Sequence, residues 1–188
     1  MMRIITGKAR GIKLNTLEGE NTRPTSERAK EAVFSMIQFD IEGREVLDLF
    51  AGSGQMGLEA VSRGAASATF IDKSKDAAKI INQNIEKTKL TPLCRLFSTD
   101  VNDFIRITRG KKKYDVVFID PPYALHAVAP TLKALLEGEM IKPTSIIVCE
   151  SEEADIFEND TALGEKFVVI KNAKYGMAHI TIVKPIFD

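Results

Sequence analysis

Tryptophan is absent from this sequence, and cysteine and histidine occur only twice each. Cys94 and Cys149 are too few for a disulfide framework or a zinc site, and both lie in apolar runs, so we expect buried free thiols and no metal. Long apolar segments are also lacking: residues 146–149 are typical of the longest, and a membrane span needs roughly 18 residues. The first residues lack the apolar stretch of a signal peptide. These absences predict a cytoplasmic protein that does not use a membrane.

An excess of charge of one sign is lacking as well, because 26 basic residues balance 26 acidic ones. The distribution is nevertheless uneven. Residues 1–30 hold seven basic and three acidic residues, whereas residues 150–165 hold seven acidic and no basic ones. We therefore expect a basic surface near the start of the chain, and an acidic segment that faces solvent.

Apolar strands alternate with helical segments from residue 45 onward, which predicts an α/β fold with a buried, mostly parallel sheet. Residues 3–6 and 12–14 suggest a small basic hairpin, and residues 29–37 have helical spacing. The length of 188 residues favours one domain. Within it we distinguish a basic arm and helix (1–40) from a core (41–188). Ligands of such sheets bind just after the strands, at their carboxyl ends.

A glycine loop, Gly52 to Gly57, fits the pattern G-x-G-x-x-G between a predicted strand and a predicted helix. Asp72 follows at the end of the next strand, where an acid that binds a ribose belongs. NAD, FAD and S-adenosylmethionine all use this arrangement. Asp48, four residues before the loop, favours S-adenosylmethionine because a carboxylate attracts its ammonium and sulfonium groups and repels a pyrophosphate.

A second motif, Asp120-Pro121-Pro122-Tyr123, lies at the end of the predicted apolar strand Tyr114 to Asp120. Two prolines remove two backbone donors and leave carbonyls free to accept hydrogen bonds. Asp120 and the Pro121 carbonyl are suited to accept from an exocyclic amine, and Tyr123 offers a flat face for a planar base. This motif predicts a site that holds and orients an aromatic amine.

The segment Val117 to Tyr123 resembles motif IV of amino-methyltransferases that act on nucleobases, and Asp48 to Gly54 resembles their motif I. The N-terminal pattern R-I-I-x-G-K-x-R-G-x-K-L, at residues 3–14, is similar to that of one family. This family is the RsmD-like bacterial rRNA guanine-N2 methyltransferases of the small subunit. The resemblance implies a Rossmann-like class I S-adenosylmethionine-dependent methyltransferase fold, mostly parallel, with an antiparallel C-terminal strand.

The resemblance also implies a function, which is transfer of a methyl group from S-adenosyl-L-methionine to the N2 amine of a guanine, guanine 966, in 16S rRNA. Expected partners are ribosomal RNA or the small ribosomal subunit, and we expect a monomer. The expected catalytic residues are Asp120, Pro121, Pro122 and Tyr123. The expected cofactor residues are Asp48, Phe50, Ala51, Gly52, Ser53, Gly54, Asp72, Asp100 and Val101. Asp100 is also predicted to be the N-cap of the helix that starts at Val101.

RNA contacts are expected from the basic arm, through Arg3, Lys8, Arg10, Lys13 and Arg23. We expect that residues 2–14 can be removed without loss of cofactor binding, and that Gly7 and Gly11 let the hairpin tip approach an RNA backbone. The basic run 111–113 precedes a strand, at the edge of the sheet opposite the site, and we assign it no RNA contact.

Other functions remain open on these residues. The Asp-Pro-Pro-Tyr motif alone allows methylation of adenine or cytosine in nucleic acid, or of glutamine in a protein. The glycine loop alone allows a nicotinamide-dependent oxidoreductase, although Asp48 argues against it. A third alternative is a non-catalytic RNA-binding assembly module that retains the fold.

Overall fold

The computed structural model describes residues 2–17 and 24–187. The strands are β1 (Glu45–Leu49), β2 (Ser67–Asp72), β3 (Cys94–Ser98), β4 (Tyr114–Ile119), β5 (Ile141–Ser151), β6 (Phe167–Tyr175) and β7 (Ala178–Pro185). The helices are α1 (Pro24–Met36), α2 (Gln55–Ser62), α3 (Lys75–Thr88), α4 (Val101–Thr108), α5 (Val128–Glu137) and α6 (Thr161–Gly164). Within these described parts, no helix combines the length and apolar character that a bilayer span requires.

The seven strands form one sheet in the order β3-β2-β1-β4-β5-β7-β6. Strands β1 to β5 are parallel, and β7 runs antiparallel to both of its neighbours, β5 and β6. Leu49 pairs with Ile71 on one side and Ile119 on the other, and Ile119 pairs with Cys149. The carboxyl ends of four strands are therefore in register at one edge, as the predicted mostly parallel sheet requires.

Buried side chains alternate between the two faces of the sheet. In β4, Phe118 packs on the face covered by α1, α2 and α3, where its ring lies 5.6 Å from that of Phe34. Its neighbours Val117 and Ile119 pack on the opposite face, with α4, α5 and α6. Burial on both sides explains why these strands are apolar along their whole length rather than alternating. Cys149 is buried and Cys94 half-buried, and both are free thiols.

The N-terminal hairpin has less sheet structure than the sequence suggests. Among the described residues it contains one antiparallel bridge, between Arg3 and Lys13. The two halves are also joined by backbone hydrogen bonds, and α2 binds further donors of the first half. The N–H groups of Ile5 and Thr6 donate to the carboxylate of Glu59, at 2.7 and 3.0 Å. The hairpin is thus held by a helix as much as by its own second half.

Side chains of the hairpin also enter the main core. Met2, Ile4, Ala9 and Leu14 are buried with the residues of α1, α2 and α3. Removal of residues 2–14 would expose that core and leave the fully buried Glu59 without two of its donors. These contacts argue against the expectation that the segment is dispensable for cofactor binding.

Gly7 serves a different purpose from the one expected. A Cβ atom at this position would lie 1.8 Å from the carbonyl oxygen of Ser62, in the last turn of α2. Gly7 therefore permits close packing of the hairpin on its own protein rather than on an RNA. Gly11 has open space around it, with no atom within 4 Å of such a Cβ.

These two glycines form a matched pair for a stability test, because their φ angles are nearly equal, +87° and +83°. We expect Gly11→Ala to cost about 1–2 kcal/mol, the strain of a left-handed residue with a side chain. Gly7→Ala should cost about 1–3 kcal/mol more, from the collision with Ser62. Urea unfolding of both variants measures the difference. Equal losses would show that the hairpin does not pack tightly on α2.

Candidate active site

A cavity of about 610 Å³ opens at the carboxyl edge of the sheet. It brings together residues that follow four different strands, as expected of an open α/β sheet. Predicted residues on its wall are Asp48, Phe50, Ala51, Gly52, Ser53, Asp72, Asp100, Val101, Asp120, Pro121, Pro122 and Tyr123. Gly54, the remaining predicted cofactor residue, lies behind this wall, with Phe70 and Ile81 closest to the position of a Cβ.

The glycine loop is held by a carboxylate inside the sheet. Oδ2 of Asp48 accepts a hydrogen bond from the N–H of Gly57 at 2.8 Å, and the side chain is buried. Burial raises the pKa of Asp48 to about 7; the bond from Gly57 opposes this shift, and nearby Asp72 adds to it. A cationic ligand beside this buried carboxyl would favour its charged form.

The backbone of the loop is left-handed at three positions, Phe50, Gly52 and Gly54, with φ of +59°, +55° and +77°. Gly57 is required for another reason, since a Cβ there would lie 2.4 Å from the ring of Phe70. The lack of a Cβ atom at Gly57 lets α2 pack closely on β2. The third glycine of the motif therefore acts in packing, while the first two shape the turn.

Asp72 holds the loop from the neighbouring strand. Its Oδ2 accepts from the N–H of Gly52 at 2.9 Å, and its Oδ1 accepts from the N–H of Ser74 at 2.8 Å. Asp100 has a comparable local role, since it accepts from the N–H of Asn102 at 2.9 Å and caps α4, as predicted. Both carboxylates remain on the cavity wall. They are placed to meet further donors there.

The Asp120 to Tyr123 turn forms the opposite wall. Pro121 is buried, while Asp120 is exposed at the end of β4. The Pro122 carbonyl accepts from the N–H of Leu125 at 2.9 Å and starts a 3-10 turn over Tyr123–Leu125. The hydroxyl of Tyr123 donates to Oε1 of Glu150 at 3.0 Å. Burial and the adjacent Glu150 raise the pKa of Tyr123 above its usual value, so this phenol stays protonated.

Glu150 contacts Tyr123 of this turn, and the sequence analysis did not place it near the site. The expectation that the acidic segment faces solvent is wrong for this residue, which is half-buried against Tyr123. Three residues later, Glu153 lies 2.7 Å from Nδ1 of His126, beside the same turn. The signal was available, because Glu150 lies at the carboxyl end of β5, where functional residues are expected. Its position in an acidic run concealed it.

The predicted RNA-contacting residues on the hairpin, Arg3, Lys8, Arg10 and Lys13, are all exposed. Arg23 lies outside the described residues. The hairpin tip packs at the C-terminal end of α2, where the N–H of Lys8 donates to the carbonyl of Ser62 at 2.8 Å. With a rise of 1.5 Å per residue, the tip is about 12 Å from the glycine loop at the other end of this helix.

The basic run 111–113, to which we assign no RNA contact, lies in the loop before β4, at the amino edge of the sheet. Lys112 forms an ion pair with Glu45 at 2.6 Å, and its ammonium lies over the ring of Tyr114. Lys112 is thus engaged within the protein, while Lys111 and Lys113 are exposed. This position agrees with the predicted separation from the cavity.

The strand order, the glycine loop and the acidic cavity define a class I S-adenosyl-L-methionine-dependent methyltransferase. The cavity is of the size usual for cofactor sites, and its wall carries the carboxylates of Asp48, Asp72, Asp100 and Asp120. Such a wall fits a cationic cofactor and disfavours a pyrophosphate. The cofactor is S-adenosyl-L-methionine.

The chain belongs to the family described as conserved hypothetical protein 95, whose model matches residues 2–184, and the expected RsmD-like resemblance is confirmed. It is similar to the ribosomal RNA small subunit methyltransferase D of Haemophilus influenzae, with 36% identity over 88% of each chain. The protein of the same name from Escherichia coli is 32% identical over 80% of this chain and 75% of its own. The solved structure of yhhF from Escherichia coli is 27% identical, with a TM-score of 0.84 over 100% of this chain and 99% of that one.

The raised pKa of Asp48 predicts that binding of a cationic cofactor depends on pH. Below pH 7 a growing fraction of this carboxyl is neutral and would have to lose its proton to pair with a cationic group. We expect the affinity for S-adenosyl-L-methionine to fall about tenfold per pH unit below 7, and proton release on binding near pH 7. Calorimetry in two buffers of different ionisation enthalpy measures both.

Asp48→Asn is the matched variant for this experiment, because it keeps the shape of the side chain and removes the titration. It should bind weakly at pH 8 and with little dependence on pH. Parallel pH profiles for the two proteins would show that another group controls cofactor binding.

Proposed function

We propose that this chain transfers a methyl group from S-adenosyl-L-methionine to the exocyclic N2 amine of a guanine in 16S rRNA, guanine 966. The observation that carries the proposal is that the Asp120 to Tyr123 turn lines the same cavity as Asp48 and the glycine loop. An amine held at Asp120 would therefore lie beside the cofactor. The similar proteins from Haemophilus influenzae and Escherichia coli, named for the small-subunit RNA, support the substrate class.

Within the cavity, the cofactor residues divide by the part of the ligand they would hold. Asp48 and the backbone of Gly52 would hold the amino-acid end, and Asp72 would hold the ribose. Asp100 and the backbone N–H of Val101 would hold the adenine edge. All of these residues line the cavity. The bound cofactor supplies a methyl group activated by a sulfonium.

The amine is oriented by hydrogen-bond acceptors of this chain. A guanine amine is a poor nucleophile, because its lone pair is delocalised into the ring. Acceptance of its protons by Asp120 and by the Pro121 carbonyl favours the more tetrahedral, more electron-rich nitrogen that reacts. This arrangement needs no strong base, since an alkylated amine is acidic and can release its proton late. Positioning supplies most of the catalysis.

Tyr123 would stack on the base. Its hydroxyl bond to Glu150 holds the ring against the cavity, so a base can bind without first ordering this side chain. A base inside a helix cannot reach such a wall. The substrate guanine must be unstacked, as in an RNA loop or single strand.

The first test identifies the product. The protein is incubated with labelled S-adenosyl-L-methionine and small ribosomal subunits that lack the modification, and the RNA is digested to nucleosides. We expect N2-methylguanosine as the labelled nucleoside. N6-methyladenosine would instead support the alternative of another nucleobase.

Asp120 variants test the mechanism in the same assay. Asp120→Ala removes the acceptor and should lower the methylation rate by roughly 100-fold or more. Asp120→Asn keeps one acceptor oxygen and should lose less. Both should bind the cofactor within about threefold of the natural protein, because Asp120 is exposed and solvent screens its charge.

Glu158→Ala serves as the control, because Glu158 is an exposed acid remote from the cavity wall and should leave the rate unchanged. A near-normal rate for Asp120→Ala would remove Asp120 from the mechanism.

We infer further that the exposed cations of the hairpin contact the phosphates of the RNA. Neutralisation of Lys8 and Arg10 to Gln should flatten the salt dependence of RNA binding by about 1.4–1.8 in log–log slope, from roughly 0.7–0.9 per phosphate. Filter binding at several salt concentrations measures it.

The matched control replaces the exposed Lys111 and Lys113 with Gln, which removes the same charge and spares the Lys112 ion pair. This variant should keep the natural slope. If the control loses the slope and the hairpin variant does not, the RNA lies on the other surface.

A further inference from the structure

A narrow cleft of about 70 Å³ adjoins the cofactor cavity at Asp120. The two spaces share Asp120, Gln55 and Met56 as lining residues. The walls of the cleft come from α1, β4, β5 and β7. These walls are lined by Ala29, Lys30, Val33, Phe118, Ile119, Val148, Glu150 and Ile180. The cleft is too small for a whole purine, so it admits the edge of a base whose ring remains beside Tyr123.

Glu150 is the acidic group of the cleft next to Asp120. It lies at the end of β5, and its side chain reaches the hydroxyl of Tyr123. Much of the surrounding wall is apolar, including Val33, Val148 and Ile180. A carboxylate has about four acceptor positions, and the hydroxyl of Tyr123 supplies one proton. In such a wall, a further donor on the ligand is favourable.

The edge of guanine supplies donors with the required spacing. Its N2 amine and its N1–H are adjacent on the same side of the ring. With the amine at Asp120, the neighbouring N1–H would face the cleft that Asp120 and Glu150 both line. Bases without that proton present a lone pair at N1, which a carboxylate repels.

We propose that Glu150 is a specificity-determining residue that accepts a hydrogen bond from N1–H of the target guanine. The proposal rests on the proposed function and adds to it the group that recognises the base. Asp120 would hold the N2 amine that reacts, and Glu150 would recognise the adjacent N1–H. The hydrogen bond between Glu150 and Tyr123 would couple recognition of this base edge to stacking of the ring on Tyr123.

A purely structural role predicts a different result. If Glu150 only orients Tyr123, any acceptor of the hydroxyl proton suffices, and the identity of the base at N1 does not matter. Glu150→Gln separates the two roles. Its amide oxygen can still accept from Tyr123, while its NH₂ group offers a donor where the carboxylate offered only acceptors.

The test uses 2,6-diaminopurine, which keeps the amine at C2 but has a lone pair at N1. Small subunits are reconstituted with RNA that carries either guanine or this base at the proposed target position, 966. Single-turnover methylation is measured at pH 8. For the natural protein we expect guanine to react about 10- to 100-fold faster than diaminopurine.

For Glu150→Gln we expect this preference to fall at least tenfold, with the diaminopurine rate maintained or raised. Tyr123→Phe removes the hydroxyl bond but keeps the carboxylate, so it should slow both substrates and preserve the preference. Affinity for S-adenosyl-L-methionine confirms that each variant is folded.

Two results would overturn the inference alone: equal rates on both bases for the natural protein, or an equal loss on both bases in Glu150→Gln. Absence of N2-methylguanosine from the natural reaction would overturn the proposed function and this inference together.

Discussion

Two carboxylates in neighbouring parallel strands hold the backbone on which the rest of the site depends. Asp48 binds the N–H of Gly57, and Asp72 binds the N–H of Gly52, so each end of the glycine loop is fixed from the sheet. Asp48 is buried for this purpose, and its raised pKa is the cost of that burial. The backbone of the loop is thereby held in place before any ligand enters. Because β1, β2 and β4 end in register, the same constraint sets the distance from the loop to Asp120.

A further buried carboxylate, that of Glu59, connects the N-terminal hairpin to the helix that follows the glycine loop. Glu59 lies in α2, the helix that starts at the glycine loop, and it accepts from Ile5, Thr6 and Arg63. Lys30 of α1 lies 4.0 Å from the same carboxylate and donates to the carbonyl of Arg3. The exposed cations of the hairpin are therefore attached to one end of α2 and the cofactor loop to the other. An RNA bound along this surface would be held at a defined distance from the cavity.

Much of this arrangement is predictable from the sequence, for physical reasons. Strands buried on both faces are apolar throughout, and the carboxyl-end rule places Asp72, Asp100 and Asp120 at one edge. The same rule applied to β5 would have found Glu150, but the run of acids around it suggested a solvated surface. Local patterns do not show which partner a carboxylate will meet across the fold. For the same reason the bonds from the hairpin to Glu59 were not predicted, and Gly7 was expected to face a ligand, although it faces Ser62.

The central claim is that one cavity holds the methyl donor between the glycine loop and Asp120. A crystal structure of the complex with S-adenosyl-L-homocysteine tests it most directly. We predict that the amino-acid end of this product lies beside Asp48 and Gly52, the ribose at Asp72, and the sulfur on the side of the cavity that faces Asp120. A ligand bound elsewhere, or in this cavity with its sulfur directed away from Asp120, would contradict the account.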